Sequence, residues 1–116
     1  MTQPIIDTAT FDELKAAMGA DFIGELIDTY CEETPVLLAQ LEQALAGGDV
    51  EGFRRAAHSM KSNSATFGAL AFSAQARELE MMAKQGDLHG AETKIASLAA
   101  EYPQVKQALR ELQNGS

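Results

Sequence analysis

The sequence predicts an all-α protein: an antiparallel up-down-up-down four-helix bundle with a short additional N-terminal helix. Three observations carry this expectation. Apolar residues recur at intervals of three and four over four long segments. The Gly-Asp pairs Gly48-Asp49 and Gly86-Asp87 punctuate those segments as stop-and-cap signals. No stretch shows the strict alternation that would compete as a strand. Helices joined by loops of a few residues become adjacent antiparallel neighbours, which gives the topology.

The short leading helix opens at Thr10-Phe11-Asp12-Glu13, a capping box with a hydroxyl at the N-cap and a glutamate three residues on. It ends near Met18, where Gly19 offers a left-handed stop. The second helix starts at Asp21 and carries Ile23, Leu26, Ile27, Tyr30, Leu37, Leu38, Leu41 and Leu45 at helical spacing until Gly47-Gly48 ends it. Pro35 removes an amide donor inside this stretch, and Thr34-Pro35 would also suit the start of a new helix. The apolar register continues across the proline, so one kinked helix is expected.

Asp49 caps the third helix, and Gly68 is a place for it to bend or stop. At about 100° per residue, Phe53, Ala56, Ala57, Met60, Ser64 and Phe67 fall within roughly 60° of one another and form its buried stripe. The fourth helix runs from about Ala69 to Gln85, with Phe72, Ala76, Leu79 and Ala83 facing inward. In the last helix Leu88, Ala91, Ile95, Leu98, Tyr102, Val105, Leu109 and Leu112 alternate by three and four, the pattern of a bundle seam. Pro103 is expected to kink that helix without ending it. Residues 1–116 read as a single domain with one core over about 10–113 and a frayed Asn-Gly-Ser tail.

Composition excludes several classes. Nine basic against 17 acidic residues give a net charge of −8, which argues against binding a phosphate backbone, so no nucleic-acid partner is expected. No apolar run approaches the roughly 20 residues needed to span a bilayer, and no secretory leader is visible, so a cytoplasmic protein without membrane partners is expected. The one cysteine, Cys31, excludes an internal disulfide and reads as a small core residue. With two histidines besides, the chain is poorly furnished for zinc, and no metal site is expected.

The charges are unevenly distributed. From Ala16 to Phe53 there are eight acidic residues and no basic one, whereas Arg54, Arg55 and Lys61 surround His58. His58 falls about 160° from Met60 and therefore faces solvent, with Arg54 at i−4, Lys61 at i+3, Ser62 at i+4 and Ala65 at i+7 beside it. A neutral imidazole is a competent nucleophile toward phosphorus. The neighbouring cations are expected to disfavour the imidazolium and to attract a phosphoryl group once it is attached, with Lys61 the best-placed partner. Small residues at Ser62, Ala65 and Ala69 leave room for another protein's active site to approach. There is no glycine-rich nucleotide loop and no convincing nucleophile–base set. The expectation is therefore a carrier with no autonomous catalysis and no cofactor of its own. The residues alone leave open a non-phosphorylated helical adaptor in which His58 is incidental.

The segment His58-Ser-Met-Lys61-Ser-Asn-Ser-Ala-Thr-Phe-Gly68-Ala resembles the signature of histidine-containing phosphotransfer (HPt) domains. The likeness extends to Phe22–Leu45 around Pro35, to Gly47-Gly48-Asp49, and to Ala76-Arg77-Glu78-Leu79-Glu80. It implies that His58 accepts a phosphoryl group from a receiver-domain aspartate and passes it to another response-regulator receiver, that Lys61 contacts that group, and that Mg²⁺ resides on the receiver. A hybrid sensor histidine kinase is the other implied partner, with the chain acting as a monomer. Ser62 stands where the family often has Gly. The family's docking surface includes the leading helices, which makes Phe11, Leu14, Met18 and Phe22 docking candidates beside Arg54, Ser62, Ala65 and Ala69. A histidine-bearing domain of a chemotaxis-type kinase is a third reading, although the chain carries no ATP-binding domain.

Overall fold

The computed structural model describes residues 4–115. Among them lie five helices and no strand: α1 (Thr8–Met18), α2 (Ala20–Gly47), α3 (Val50–Thr66), α4 (Leu70–Lys84) and α5 (Ala91–Gly115). α3 packs on α2 and α4, and α5 packs on the same two, so the four long helices close a ring, while α1 leans on α2 and α3. Connections of two, three and six residues join the long helices, consistent with the expected up-down succession.

The helix ends follow from glycine chemistry. After α3, Gly68 N–H donates to the Ala65 carbonyl and Ala69 N–H to the Ser64 carbonyl, both at 3.0 Å. This is the Schellman arrangement, and it needs a left-handed residue, here Gly68 with φ +86°. The same pair of bonds recurs at Gly48 and Gly86, the two glycines that the sequence marks as stops.

Two helix starts differ from expectation. α1 begins at Thr8, and its cap is Asp7, whose carboxylate accepts from Thr10 N–H at 3.3 Å and from the Thr10 hydroxyl. Thr10 is thus a recipient of the cap, because Asp7 is also anchored, its own N–H donating to the Gly68 carbonyl at 2.8 Å. α5 begins at Ala91, three residues after Leu88. Asp87 accepts from His89 N–H at 3.1 Å, a turn two residues wide, and Gly90 at φ +83° breaks helical geometry before the chain can continue. At the other end α5 includes Asn114 and Gly115 of the Asn-Gly-Ser tail, and Ser116 lies outside the described residues.

Pro35 lies inside a continuous α2, as the unbroken register predicts. A proline there leaves the carbonyl four residues earlier, that of Cys31, without its helical donor. The Tyr102 hydroxyl of α5 donates to that carbonyl at 3.0 Å, so the defect in α2 becomes a tie between two helices. The predicted stripe of α3 is buried at every position, with Phe53, Ala57 and Met60 wholly enclosed. Tyr30 shares a 2.8 Å hydrogen bond with Ser64, which satisfies both hydroxyls inside the core. Cys31 is half-buried at the core's edge.

Candidate functional site

The site lies where α3 and α4 meet. Ala57 and Ala76 are fully enclosed and Ala83 nearly so, small residues that permit close approach of the two helices. The Ser73 hydroxyl on α4 donates to the Lys61 carbonyl on α3 at 2.7 Å and fixes their relative register. Seven residues beyond Ser73, two turns along the same edge of α4, stands Glu80, a carboxylate only 2% exposed.

Glu80 joins the two residues singled out in α3. One oxygen, Oε2, lies 2.7 Å from His58 Nδ1, and the other, Oε1, accepts from Lys61 Nζ at 2.6 Å. Lys84 Nζ is 3.9 Å from Oε2. The Lys61 hydrogen bond holds the Glu80 carboxyl below the usual carboxylate range, against an opposing push from burial, with His58 and Lys84 adding to the depression. An ionised carboxylate can only accept, so Nδ1 of His58 carries the hydrogen in this bond. In the neutral ring the lone pair is then on Nε2. The His58 side chain is 55% exposed.

This arrangement revises the picture of an imidazole among cations. Arg54, one turn before His58, is held by Glu51, which accepts at both Nε and Nη2. The closest charge to the ring is a carboxylate, not a guanidinium. Glu80 was missed because its functional neighbours lie 22 and 19 residues away in sequence. Its only local signal is an acidic side chain at the margin of the apolar stripe Phe72, Ala76, Leu79, Ala83, a position where burial requires a partner.

The proposed docking residues separate into two groups. Ser62 is exposed and Ala65 half-buried on the His58 side of α3, Leu14 is half-buried, and Met18 and Phe22 are exposed. Leu14 and Met18 line a groove of about 240 Å³ between α1, α2 and α3, walled also by Leu26, Thr66 and Phe67. Phe11 and Ala69, by contrast, are 1% and 0% exposed. Both belong to the core, Phe11 because the α1 stripe turns inward there and Ala69 because it sits in the tight Schellman turn. Neither offers surface to a partner. Among the described residues no three His, Cys, Asp or Glu side chains gather as a metal site, and no helix is long and apolar enough to cross a membrane.

The model of the Hpt domain family matches residues 25–115. The chain belongs to the Hpt domain family. A similar solved structure is that of histidine-containing phosphotransfer protein B from Pseudomonas aeruginosa PAO1, with a TM-score of 0.89 and 27% identity over 99% of either chain. Comparison with curated proteins finds no match. As an Hpt domain, the chain has a helical bundle whose family and structural likeness support a histidine-phosphotransfer role.

The Glu80 carboxylate ties this Hpt domain's stability to pH. A carboxyl whose folded-state value lies below its ordinary 4.5 contributes stability that is complete above that value and disappears as pH falls through the folded-state value. Urea unfolding midpoints of wild type and E80Q should therefore differ at neutral pH and converge as the solution is acidified below 4.5. A difference that stays constant across that range would count against this role for Glu80.

Proposed function

We propose that the chain is a phosphorelay carrier in which His58 takes a phosphoryl group from the phospho-aspartate of one response-regulator receiver and yields it to another. The observation that carries this reading is the Glu80–His58 hydrogen bond on a ring that is 55% exposed. It fixes the tautomer whose Nε2 is the nucleophile, with no base needed to remove a proton. In-line attack forms the Nε2–phosphorus bond as the phosphorus–oxygen bond to aspartate breaks, the electron pair leaving with the carboxylate. Lys61, 28% exposed beside the ring, is the cation that contacts the phosphoryl group. Mg²⁺ and the remaining acidic groups come from the receiver, so the carrier needs no cofactor.

The receiver docks over Ser62 and Ala65 and reaches into the apolar groove by Leu14 and Met18, with Phe22 exposed on the adjoining stretch of α2 and Arg54 at the opposite side of His58. That groove starts at Asn63, roughly 7–8 Å along α3 from His58. A hybrid sensor kinase supplies the first phosphorylated receiver, in the cytoplasm, to a monomeric carrier. Mixing the protein with a ³²P-phosphorylated receiver is expected to move label onto the carrier in an acid-labile, alkali-stable form. Label that is absent, or lost in alkali, would overturn the reading.

A further inference from the structure

Resting on the carrier reading, we infer that the receiver served by this chain carries Lys or Arg side chains beside the apolar surface it sets into the groove between α1, α2 and α3, and that Glu25 and Glu33 on the α2 rim select it by charge. The interior of the groove is apolar, with Leu14, Met18, Leu26 and Phe67 among its walls, and Glu33 stands at its edge. Glu25, Thr29 and Glu33 follow one another at intervals of four on α2, a line about 12 Å long. The Thr29 hydroxyl turns back on the helix, donating to the Glu25 carbonyl at 3.1 Å, so the charge of this rim comes from the two carboxylates. Both are exposed, and among the described residues neither has a cation within salt-bridge distance. Asp28, on another side of the same helix, is by contrast paired with Arg110 at 2.7 Å.

The sign of this rim is opposite to that of the surface around His58, where Lys61 and Lys84 stand beside Glu80 and Arg55 adds an exposed guanidinium. The docking face is therefore bipolar, cationic at the phosphoryl site and anionic along α2. A receiver brings its phospho-aspartate and acidic groups to the cationic end, and the complement of the other end is basic. Contacts of opposite sign at the two ends define one orientation, because a receiver turned end for end would set carboxylates against Glu25 and Glu33. The same pattern disfavours a second copy of this chain in the groove. The net charge is −8, and the stretch from Ala16 to Phe53 holds eight acidic residues and no basic one, so two copies meeting through α2 repel. Exposed charges act chiefly on encounter and are screened by salt over a Debye length of about 8 Å at physiological ionic strength. Glu25 and Glu33 thus act on KM, while the chemical step stays with His58.

The test measures kcat/KM for transfer from a ³²P-phosphorylated receiver that labels the wild-type protein, at low and at high salt. E25K/E33K is expected to lower kcat/KM about tenfold at low salt and E25Q/E33Q about threefold, through KM with kcat held, and both losses should shrink at high salt. E42K/E92K is the matched control: it changes the net charge by the same amount as E25K/E33K, but Glu42 and Glu92 line a separate groove between α2 and α5. Its kcat/KM should stay near wild type. Equal kcat/KM in wild type and E25K/E33K at low salt overturns the proposal, and so does an equal loss in E42K/E92K, which would trace the effect to net charge. Should E25K/E33K lose its helical circular dichroism, E25Q/E33Q equal to wild type at low salt overturns it instead. Failure of receivers to label the wild-type protein would overturn the carrier reading and with it this inference, an outcome distinct from labelling that ignores the charge of the α2 rim.

Discussion

Replacing His58 with glutamine is expected to reduce phosphate incorporation from a phosphorylated receiver to background while the helical bundle persists. Glutamine offers an amide where the ring offers Nε2, and an amide nitrogen has no lone pair free to attack phosphorus. The fold should tolerate the change because the side chain is 55% exposed and the α3 stripe beneath it is untouched. Glu80 keeps its Lys61 partner at 2.6 Å, so its charge is not stranded. A stability change of no more than about 1 kcal/mol is expected, read from urea unfolding. Incorporation by H58Q equal to wild type would place the phosphoacceptor elsewhere. Loss of incorporation together with loss of structure would trace the effect to folding, which is why both measurements are made on the same preparation.

The fold was legible because its signals are local. Gly48, Gly68 and Gly86 each mark a left-handed stop that backbone hydrogen bonds require, and each is visible in the chain as a glycine that follows an apolar stripe. The α3 stripe from Phe53 to Phe67 follows from 3.6-residue geometry alone. Starts were less legible than stops. Asp7 and Thr10 are both acceptable caps, and the choice between them rests on Asp7 N–H bonding to the Gly68 carbonyl, a contact between residues 61 positions apart. At α5, Asp87 looks like a cap but spends its side chain on a two-residue turn.

The site was half legible for the same reason. His58 and Lys61 share one helix, so spacing places them together on its outer side. Glu80 arrives from α4, and neither periodicity nor charge counting pairs it with them. Glu80 alters the chemistry of the ring: cations alone leave its tautomer free, whereas a buried carboxylate at Nδ1 fixes it. Phe11 and Ala69 show the opposite error. They lie near the right surface in sequence but behind it in space, because a helix stripe and a tight turn each direct a side chain into the core.

Gly68→Ala is expected to destabilise the protein by about 2–4 kcal/mol, well beyond the strain of a left-handed alanine, which is about 1 kcal/mol. The excess comes from a collision. A Cβ at Gly68 would stand 2.7 Å from the Asp7 carbonyl oxygen and 3.2 Å from Thr10 Cβ, and the first of these is backbone that cannot swing aside. Relief requires α1 to move off the α3–α4 turn, with loss of the Asp7 N–H bond to the Gly68 carbonyl. Gly86→Ala is the matched control, since Gly86 ends α4 with the same hydrogen bonds and φ +72° but has nothing within 4 Å of an added Cβ. Thermal unfolding should show the larger fall in Tm for G68A, and equal losses would mean that the Asp7 contact costs nothing. The consequence extends to function, because α1 supplies Leu14 and Met18 to the groove proposed for the receiver. G68A should therefore weaken receiver binding in a titration, while phosphoramidate still labels His58 at the wild-type rate, since Glu80 and Lys61 lie on α3 and α4 away from the displaced helix.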